Sequence, residues 1–292
     1  MLSLCFRSLA EADLDSVVTF LQNKSNDGLL PFSIQDEAAT RYSLSLAEIE
    51  EISLSHGILP ARYQRNQEMI STRQQLTLFR SKVAVIGCGG LGGYIIEELV
   101  RLGIGTIIAV DPDVFAEHNL NRQLFCTLDQ LGRKKVAAAA QRVKEINPAV
   151  NLQQKAEEFG NENGQRLLQG VDVAADALDS IPARLILSRT CKASGIPLVH
   201  GAIAGWYGHV ATQYPGEDIL EQIYSQHEEK KGIETRLGNP SFTPALVASL
   251  EVAEIIKILL QTGELLRGKY LNIDLYHLEA NEIHFKNNTT DQ

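Results

Sequence analysis

Three glycines follow an apolar run at a spacing that suits the binding of phosphate groups. Gly87, Gly89 and Gly92 form the pattern G-x-G-x-x-G directly after residues 83–86. In this pattern the glycines allow a tight turn, a close approach of the backbone to phosphate, and close packing of a helix on a strand. Asp111 follows at roughly the ~20-residue distance at which an acid commonly binds a ribose hydroxyl. These residues predict a nucleotide site; the alternative is a glycine-rich turn that only shapes an α/β sheet.

Alternating apolar and amphipathic runs around this pattern predict a Rossmann-like fold. Residues 83–86 and 107–110 have the composition of buried strands, and residues 91–102 between them have helical periodicity. Strands that alternate with helices usually pair in parallel, so we expect a mainly parallel sheet with helices on both faces. Antiparallel strands are expected toward the C-terminus, at 208–215 and in a hairpin at 269–285.

The character of the sequence divides the chain into an N-terminal extension and one larger domain. Residues 1–60 show helical periodicity but no cluster of reactive side chains, so we predict a helical extension with a structural or docking role. Residues 61–292 are assigned to the nucleotide-binding domain, with a helix predicted at 60–80. Residues 215–240 are charged and interrupted by glycine, so we expect a mobile loop or a partly ordered crossing segment there.

Composition argues against several classes of function. The formal net charge is −9 and no basic block is longer than Arg133-Lys134-Lys135, which disfavours a binder of nucleic acid. No apolar run approaches the ~20 residues that a membrane helix needs, and the first residues lack the pattern of a secretory signal. We therefore expect a cytoplasmic protein without a membrane partner. The four cysteines form no C-x-x-C pair, so the sequence signals neither a disulfide framework nor a zinc site.

Further polar side chains are expected at the carboxyl edge of the predicted sheet. Asp176 and Asp179 follow a buried run and could bind a divalent metal, because Mg²⁺ favours one or two carboxylates together with phosphates and water. Equally, Asp179 or Ser180 could cap the helix that begins near Ile181. His200, in the next apolar run, fits a hydrogen-bonded core histidine better than a general base.

Taken in order, the motifs of the chain resemble those of the MoeB/ThiF/HesA family, the bacterial relatives of ubiquitin-activating enzymes, with the HesA-like branch most similar. The motifs are RYQRNQ, GCGGLGG, VDPD, HNLNRQ, GRKK and DALDS, the last with Arg184 five residues beyond Asp179. The resemblance covers residues 61–285. It implies an adenylyltransferase that uses ATP and Mg²⁺ and joins AMP to the C-terminal glycine of a small ubiquitin-like (β-grasp) sulfur-carrier protein ending in Gly-Gly, with release of pyrophosphate. It also implies a homodimer that serves sulfur transfer into a cofactor such as molybdopterin or thiamine.

The resemblance also assigns roles to single residues. Asp111 would hold the ribose, Asp179 would coordinate Mg²⁺, and Arg65 would act as an arginine finger on the ATP of the other subunit. The catalytic residues implied are Arg65, Arg122, Lys135 and Asp179. The nucleotide-binding residues implied are Gly87, Gly89, Gly90, Gly92, Asp111, Asp113, Asn119, Arg122, Gln123 and Lys135, of which Asn119, Arg122 and Lys135 would hold phosphates.

The chain also departs from the pattern of this family. Many relatives carry two C-x-x-C pairs for structural zinc, which this chain lacks, so no zinc is expected. Residues 201–292 contain no cysteine, which argues against covalent transfer of the carrier to the protein's own sulfur. Ser180 stands where the family usually has asparagine beside the magnesium aspartate, and we expect altered nucleotide geometry at most.

Three other functions are compatible with the sequence. The protein could adenylate a different carboxylate, on a peptide or on a modified tRNA base, although the acidic charge balance disfavours tRNA. An inactive nucleotide-binding relative would fit Ser180 and the missing cysteines. An NAD-dependent oxidoreductase would fit the glycines and Asp111, but no set of hydride-transfer residues accompanies them.

Overall fold

In the computed structural model, which describes residues 11–225 and 237–285, the N-terminal residues form a small helical unit. Its elements are α1 (Glu11–Lys24), β1 (Leu29–Leu30), α2 (Phe32–Tyr42), α3 (Leu46–Ser55) and β2 (Leu59–Pro60), with β1 and β2 paired in parallel. The unit buries its own apolar cluster, which includes Val17, Leu21 and Ile49. The predicted helical character is confirmed for residues 11–60, which we refer to as the N-terminal unit, while residues 1–10 of the predicted extension lie outside the described residues.

The segment that follows the N-terminal unit differs from its prediction. Instead of one helix over 60–80, the chain forms a 3₁₀ helix at Ala61–Asn66 and a separate helix, α4 (Thr72–Arg80). The backbone N–H of Gln74 donates to Ser71 Oγ over 3.3 Å, and the backbone N–H of Ser71 donates to Gln74 Oε1 over 2.9 Å. This capping box starts a new helix, because it satisfies amides that have no partner within the helix. The prediction of one helix was wrong since it followed periodicity and overlooked the Ser-x-x-Gln signal.

An eight-stranded sheet forms the centre of the larger domain. Its strands are β3 (Lys82–Ile86), β4 (Thr106–Val110), β5 (Asn151–Lys155), β6 (Val173–Asp176), β7 (Leu198–Ala204), β8 (Tyr207–Gln213), β9 (Lys269–Asp274) and β10 (Glu279–His284). They lie in the order β10-β9-β8-β7-β6-β3-β4-β5. β5, β4, β3, β6 and β7 pair in parallel, and β8, β9 and β10 extend the sheet in antiparallel pairing. The predicted mainly parallel sheet with antiparallel C-terminal strands is confirmed.

Helices cover both faces of this sheet, as predicted. One face carries α5 (Gly90–Leu102), α6 (Lys135–Ile146) and α10 (Phe242–Leu260), and the other carries α7 (Gly164–Leu167), α8 (Ile181–Ser194) and α9 (Ile219–Tyr224). α9 gives helical structure to part of the predicted crossing segment, of which residues 226–236 lie outside the described residues. None of the helices in the described ranges is long and apolar enough to cross a membrane.

The order of the strands places a switch point beside β3. β4 lies on one side of β3 and β6 on the other, so the connections that follow β3 and β5 run in opposite directions across the sheet. In open α/β sheets such a point leaves a crevice at the carboxyl ends of the strands, where ligands bind. The fold therefore places a candidate ligand site at the loops after β3, β4 and β6.

The core beneath β7 contains a buried carboxyl group. Glu251 on α10 is fully buried, and neither of its oxygens has a hydrogen-bond partner among the described residues. Its carboxyl group occupies the space beside Gly201, where an added Cβ would lie 2.0 Å from Glu251 Oε1. Burial raises the pKa of Glu251 well above its usual value, and the nearby Asp176 carboxylate raises it further. The folded protein therefore holds the proton of Glu251 to a higher pH than the unfolded chain does.

We expect Glu251→Gln to stabilise the protein increasingly as the pH rises. In the unfolded chain Glu251 loses its proton above about pH 4.5, whereas the folded protein retains that proton to higher pH, so the contribution of this group to the free energy of unfolding falls between the two pKa values. The amide has a similar shape and does not ionise. Thermal unfolding at several pH values from about 4 to 8 checks this prediction: the gain in melting temperature should grow with pH, and a gain that shrinks with pH would contradict it.

Candidate active site

A cavity of about 400 Å³ opens at the carboxyl ends of β3, β4 and β6. Its volume lies within the range of about 300–1,000 Å³ that small-molecule sites occupy in proteins. The structure brings most of the predicted site residues together in its lining. These are Gly87, Gly89, Gly90, Asp111, Asp113, Arg122, Gln123, Lys135 and Asp179.

Two of the glycines set the shape of the loop after β3. Gly87 has φ +100°, and an added Cβ would lie 2.4 Å from the Ala177 carbonyl oxygen. At Gly92, an added Cβ would lie 1.9 Å from the Gly87 carbonyl oxygen, so α5 begins directly against the loop. Gly89 is the N-cap residue of α5, and no side chain caps this helix. The first amides of α5 are therefore available to a ligand, as a phosphate site requires.

Asp111 ties the end of β4 to the glycine loop. Its Oδ2 accepts from the Cys88 amide over 2.7 Å, and its Oδ1 accepts from the Asp113 amide over 2.8 Å. The carboxylate is buried in the cavity wall. Because each carboxylate oxygen can accept more than one hydrogen bond, the predicted contact with a ribose hydroxyl is compatible with this geometry and stays a prediction.

Lys135 is the first residue of α6 and is buried beside two carboxylates. Its Nζ lies 2.9 Å from Asp113 Oδ2 and 3.9 Å from Asp111 Oδ2. An ammonium group has three donors, so Lys135 can keep its contact with Asp113 and donate to an anion in the cavity as well. Asp113 and Lys135 thus form an ion pair in the cavity wall.

Arg122 contributes a charge that no carboxylate of the described residues offsets. Its Nη1 donates to the His118 carbonyl over 3.1 Å and to Asn121 Oδ1 over 2.9 Å, and it forms no ion pair within the described residues. Asn119, in the same turn, accepts from the Ala116 amide over 2.9 Å and is not part of the cavity lining. The structure therefore places Arg122 in the cavity and Asn119 in the loop that supports it.

The two aspartates that follow β6 have different surroundings. Asp176 is fully buried, and its Oδ2 lies 2.8 Å from His200 Nδ1. Asp179 is exposed in the cavity, and its carboxylate has no hydrogen bond or ion pair with the described residues. The helix cap that the sequence left open is supplied by Ser180, whose Oγ accepts from the Ala183 amide over 3.4 Å. Asp179 alone of the two aspartates is thus available to a cation.

Arg184 holds the loop that carries Asp179. Its Nη2 donates to the Leu178 carbonyl over 2.7 Å, and its Nη1 donates to the Tyr224 hydroxyl over 2.7 Å. That hydroxyl also lies 3.1 Å from His200 Nε2. Burial lowers the pKa of His200 by more than the Asp176 hydrogen bond raises it. His200 is a hydrogen-bonded core histidine, as expected, and it contacts Asp176 and Tyr224 next to the cavity.

Two buried acceptors in the cavity wall have no donor within the part of the chain that the structure describes. Gln123 Oε1, at a predicted site residue, and Asn239 Oδ1 have no hydrogen-bond partner among the described residues, and both residues line the cavity. Buried polar atoms nearly always have a partner, so these acceptors fit the hydroxyl or amino donors of a nucleotide. No sequence pattern pointed to Asn239, which reaches the cavity only through the fold. Glu158 and Phe159 also line it, and their position just after β5 could have identified them.

Arg65 lies outside this cavity. It belongs to the 3₁₀ helix Ala61–Asn66 and lines a separate cleft of about 640 Å³ against the N-terminal unit. The Arg65 side chain is exposed and forms no ion pair within the described residues. The action of Arg65 on the ATP of another subunit stays a prediction, because it requires a second copy of the chain.

The cysteines of the described residues are poor nucleophiles. Cys88, Cys126 and Cys191 are free thiols and are buried. Burial raises the pKa of each thiol, and the thiolate is the reactive form. The same part of the chain contains no cluster of three or more His, Cys, Asp or Glu side chains placed to hold a metal ion.

The sequence matches the model of a known protein family. Residues 63–292 match the sequence profile of the ThiF family. The chain belongs to the ThiF family. The predicted family membership is therefore confirmed, and the match begins two residues before Arg65 in the RYQRNQ motif.

Relatives of this ThiF-family protein confirm the predicted class of enzyme. The chain is 31% identical over 231 residues to the SAMP-activating enzyme E1 of Haloferax volcanii, which covers 78% of this chain and 86% of that protein. It is 30% identical over 237 residues to the sulfur carrier protein adenylyltransferase of Thermus thermophilus, covering 78% of this chain and 88% of that protein. It is 28% identical to the adenylyltransferase and sulfurtransferase MOCS3 of Arabidopsis thaliana, over 76% of this chain and 49% of that longer protein.

Solved structures share the fold. PaaA has a TM-score of 0.61 at 18% identity and covers 95% of this chain and 83% of its own. Escherichia coli MccB with AMPCPP and MccA has a TM-score of 0.64 at 17% identity, over 95% of this chain and 89% of its own. The E. coli tRNA N6-threonylcarbamoyladenosine dehydratase TcdA has a TM-score of 0.57 at 21% identity, over 68% of this chain and 93% of its own. These likenesses concern the fold alone.

Proposed function

We propose that this ThiF-family protein uses ATP and Mg²⁺ to adenylate the C-terminal glycine carboxylate of a small ubiquitin-like sulfur-carrier protein. The observation that carries the proposal is the position of Arg122, which forms no ion pair with the described residues, in one cavity with the uncapped start of α5 and with Asp179. The names of the two relatives with about 30% identity, which refer to SAMP and to a sulfur carrier protein, support the choice of carrier.

The proposed reaction explains the types of side chain in the cavity. An oxygen of the carrier carboxylate attacks the α-phosphorus of ATP, a P–O bond forms, and the bond to the bridging oxygen of pyrophosphate breaks. This attack brings two anions together and builds charge on the leaving group, so fixed donors and cations are the groups that lower the barrier. The attacking group is already an anion, and therefore no nucleophilic side chain and no strong base are needed. Buried cysteines and a core histidine agree with such a mechanism.

The residues of the cavity fit both ATP and Mg²⁺. The first amides of α5, together with Arg122 and Lys135, would hold phosphate oxygens, and Arg122 can donate two parallel hydrogen bonds to one phosphate. Asp111, Gln123 and Asn239 would accept from the ribose and the base. Asp179 fits Mg²⁺, because its carboxylate is exposed and unpaired among the described residues, and Mg²⁺ usually combines one or two carboxylates with phosphates. When bound, Mg²⁺ supplies charge neutralisation for the phosphates.

We further propose a cytoplasmic homodimer in which Arg65 of one subunit reaches the ATP of the other. Arg65 is exposed, forms no ion pair among the described residues and lies outside the cavity of its own chain. A symmetric dimer would let each subunit supply one arginine to the partner's site. This arrangement also gives a use to the RYQRNQ motif, which the cavity of one chain leaves unexplained.

Complementation tests the shared site. In a heterodimer of an Arg65→Ala subunit and an Asp179→Ala subunit, one site keeps both wild-type residues and the other loses both. We expect each variant alone to keep only a small residual activity and the heterodimer, purified through two different affinity tags, to recover part of the wild-type adenylation rate. If mixed dimers form and stay as slow as the single variants, Arg65 does not act across the dimer.

Product analysis tests the choice of substrate. The protein, ATP and Mg²⁺ are incubated with candidate β-grasp carriers that end in Gly-Gly, with peptides that have a free carboxylate, and with tRNA, and AMP adducts are sought by mass spectrometry. We expect an AMP adduct at the C-terminus of a carrier and none on a carrier that lacks its last glycine. An adduct only on a peptide or on tRNA would assign the reaction to another carboxylate. Tighter binding of NADH than of ATP would instead favour an oxidoreductase.

A further inference from the structure

A cluster of polar side chains joins the N-terminal unit to the larger domain at the start of the 3₁₀ helix that carries Arg65. Arg62 forms an ion pair with Glu50 of α3 and donates to Gln35 of α2. On its other side, Arg62 Nη1 donates to Asn147 Oδ1, at the end of α6, over 3.0 Å. One guanidinium group therefore connects two helices of the N-terminal unit with a helix that begins in the nucleotide cavity.

Tyr63 makes a second connection through the same groups. Its hydroxyl donates to Glu50 Oε1 over 2.6 Å and accepts from Asn147 Nδ2 over 2.7 Å. The ring is fully buried, and an added Cβ at Gly103, the C-cap of α5, would lie 2.4 Å from the Tyr63 hydroxyl oxygen. Tyr63 is thus held against the ends of α5 and α6. The starts of both helices lie at the nucleotide cavity, so the 3₁₀ helix and the cavity share one rigid support.

The chemistry of this cluster indicates that it fixes the geometry of the 3₁₀ helix more than it stabilises the fold. Glu50 is fully buried; burial raises its pKa, while Arg62 and the Tyr63 hydrogen bond oppose that effect. A buried ion pair gains little net free energy of folding, because the cost of removing both charges from water cancels most of the attraction. Its hydrogen bonds, however, allow few alternative arrangements. The next turn of the same 3₁₀ helix carries Arg65.

We propose that the N-terminal unit positions Arg65 for its action on the nucleotide of the partner subunit. The Gln35–Glu50–Arg62–Tyr63–Asn147 cluster fixes the first turn of the 3₁₀ helix, and the N-terminal unit forms the opposite wall of the cleft that Arg65 lines, through Gly28, Leu29, Gly57 and Leu59. Residues 11–60 thereby act in catalysis without touching substrate. The inference rests on the proposed function, because Arg62 and Glu50 affect adenylation only through the action of Arg65 on ATP.

A pair of matched double variants tests this positioning role. Glu50→Gln/Arg62→Met removes both charges of the cluster at nearly constant volume, so the chain is not left with one unpaired buried charge. The control is Glu51→Gln/Arg80→Met, which removes the neighbouring ion pair between α3 and α4, where Arg80 Nε lies 2.8 Å from Glu51 Oε1. Both pairs lie between the same two parts of the chain, but only the first touches the Ala61–Asn66 helix.

Two measurements on these variants test the positioning role. Hydrogen exchange of the amides at 61–66 should speed up in the Glu50/Arg62 variant and stay unchanged in the control, whether or not the enzyme turns over. ATP–pyrophosphate exchange with a carrier should fall about tenfold in the Glu50/Arg62 variant with Arg65 present, and by less than about twofold in an Arg65→Ala background, because the effect acts through Arg65. Unchanged hydrogen exchange, or an equal loss of activity in both backgrounds, would overturn the inference. Absence of pyrophosphate exchange in the wild-type enzyme would instead reject the proposed function.

Discussion

Arg122→Ala is expected to lower the rate of carrier adenylation by at least about 100-fold while the fold stays intact. Arg122 lines the cavity and carries a charge that no carboxylate of the described residues offsets, so removing it leaves the developing charge on the phosphates without its main fixed partner. Its two hydrogen bonds, to the His118 carbonyl and to Asn121 Oδ1, stay within its own turn, so their loss should cost little stability. Initial rates of carrier–AMP formation and a thermal unfolding curve measure both effects.

Two further variants sharpen this prediction. Arg133→Ala removes an exposed arginine of the neighbouring loop that donates to Gln141 over 3.0 Å and is not part of the cavity lining, so its rate should stay near that of the wild type. Arg122→Lys keeps the charge but loses the planar, two-pronged donor, and it should recover only part of the lost rate. If Arg122→Ala adenylates the carrier as fast as the wild type does, the role assigned to this residue is wrong.

Gly92→Ala is expected to destabilise the protein by about 3 kcal/mol or more and to abolish nucleotide binding. The added Cβ would lie 1.9 Å from the Gly87 carbonyl oxygen and 2.8 Å from the Gly87 carbonyl carbon, and both of these are backbone atoms of the loop itself. Relief therefore requires α5 to move away from the loop, which would displace the amides that face the cavity. Chemical denaturation measures the loss of stability, and titration with ATP measures the loss of binding.

The adjacent residue supplies a matched control. An added Cβ at Gly93, in the same turn of α5, would meet Leu124 atoms at 3.6 Å, an ordinary contact. Alanine also has a higher helix propensity than glycine, by up to about 1 kcal/mol, so Gly93→Ala should leave stability unchanged or slightly increased. A comparable loss of stability in both variants would show that the close approach at Gly92 is not the cause.

The positions of the proposed phosphate-binding elements followed from the sequence because their signals are local. The spacing of Gly87, Gly89 and Gly92 after a short apolar run is enough to specify a strand, a turn and a helix start, and the structure has this arrangement. Asp111 and Lys135 were also found through short motifs, and both line the cavity. Local motifs identify residues whose roles depend on the backbone immediately beside them.

Other features depended on contacts between distant parts of the chain. Asp176 and Asp179 are three residues apart and looked equivalent in the sequence, yet Asp176 is buried against His200, which comes from the next strand. Asn239 reaches the cavity only because the chain returns to it after β8. The cluster around Arg62 contains hydrogen-bonded side chains that are up to 85 residues apart in sequence. Hydrophobic periodicity carries no information about such pairings, so they required the structure.

ATP–pyrophosphate exchange is the measurement that tests the central claim most directly. The enzyme, ATP, Mg²⁺ and labelled pyrophosphate are combined with native β-grasp carriers, one at a time, and label in ATP is counted. Formation of an acyl-adenylate is reversible, so we predict label in ATP only when a carrier with an intact C-terminal Gly-Gly is present, and none with the same carrier shortened by one glycine. A folded protein that binds ATP but shows no exchange with any native carrier would contradict the account.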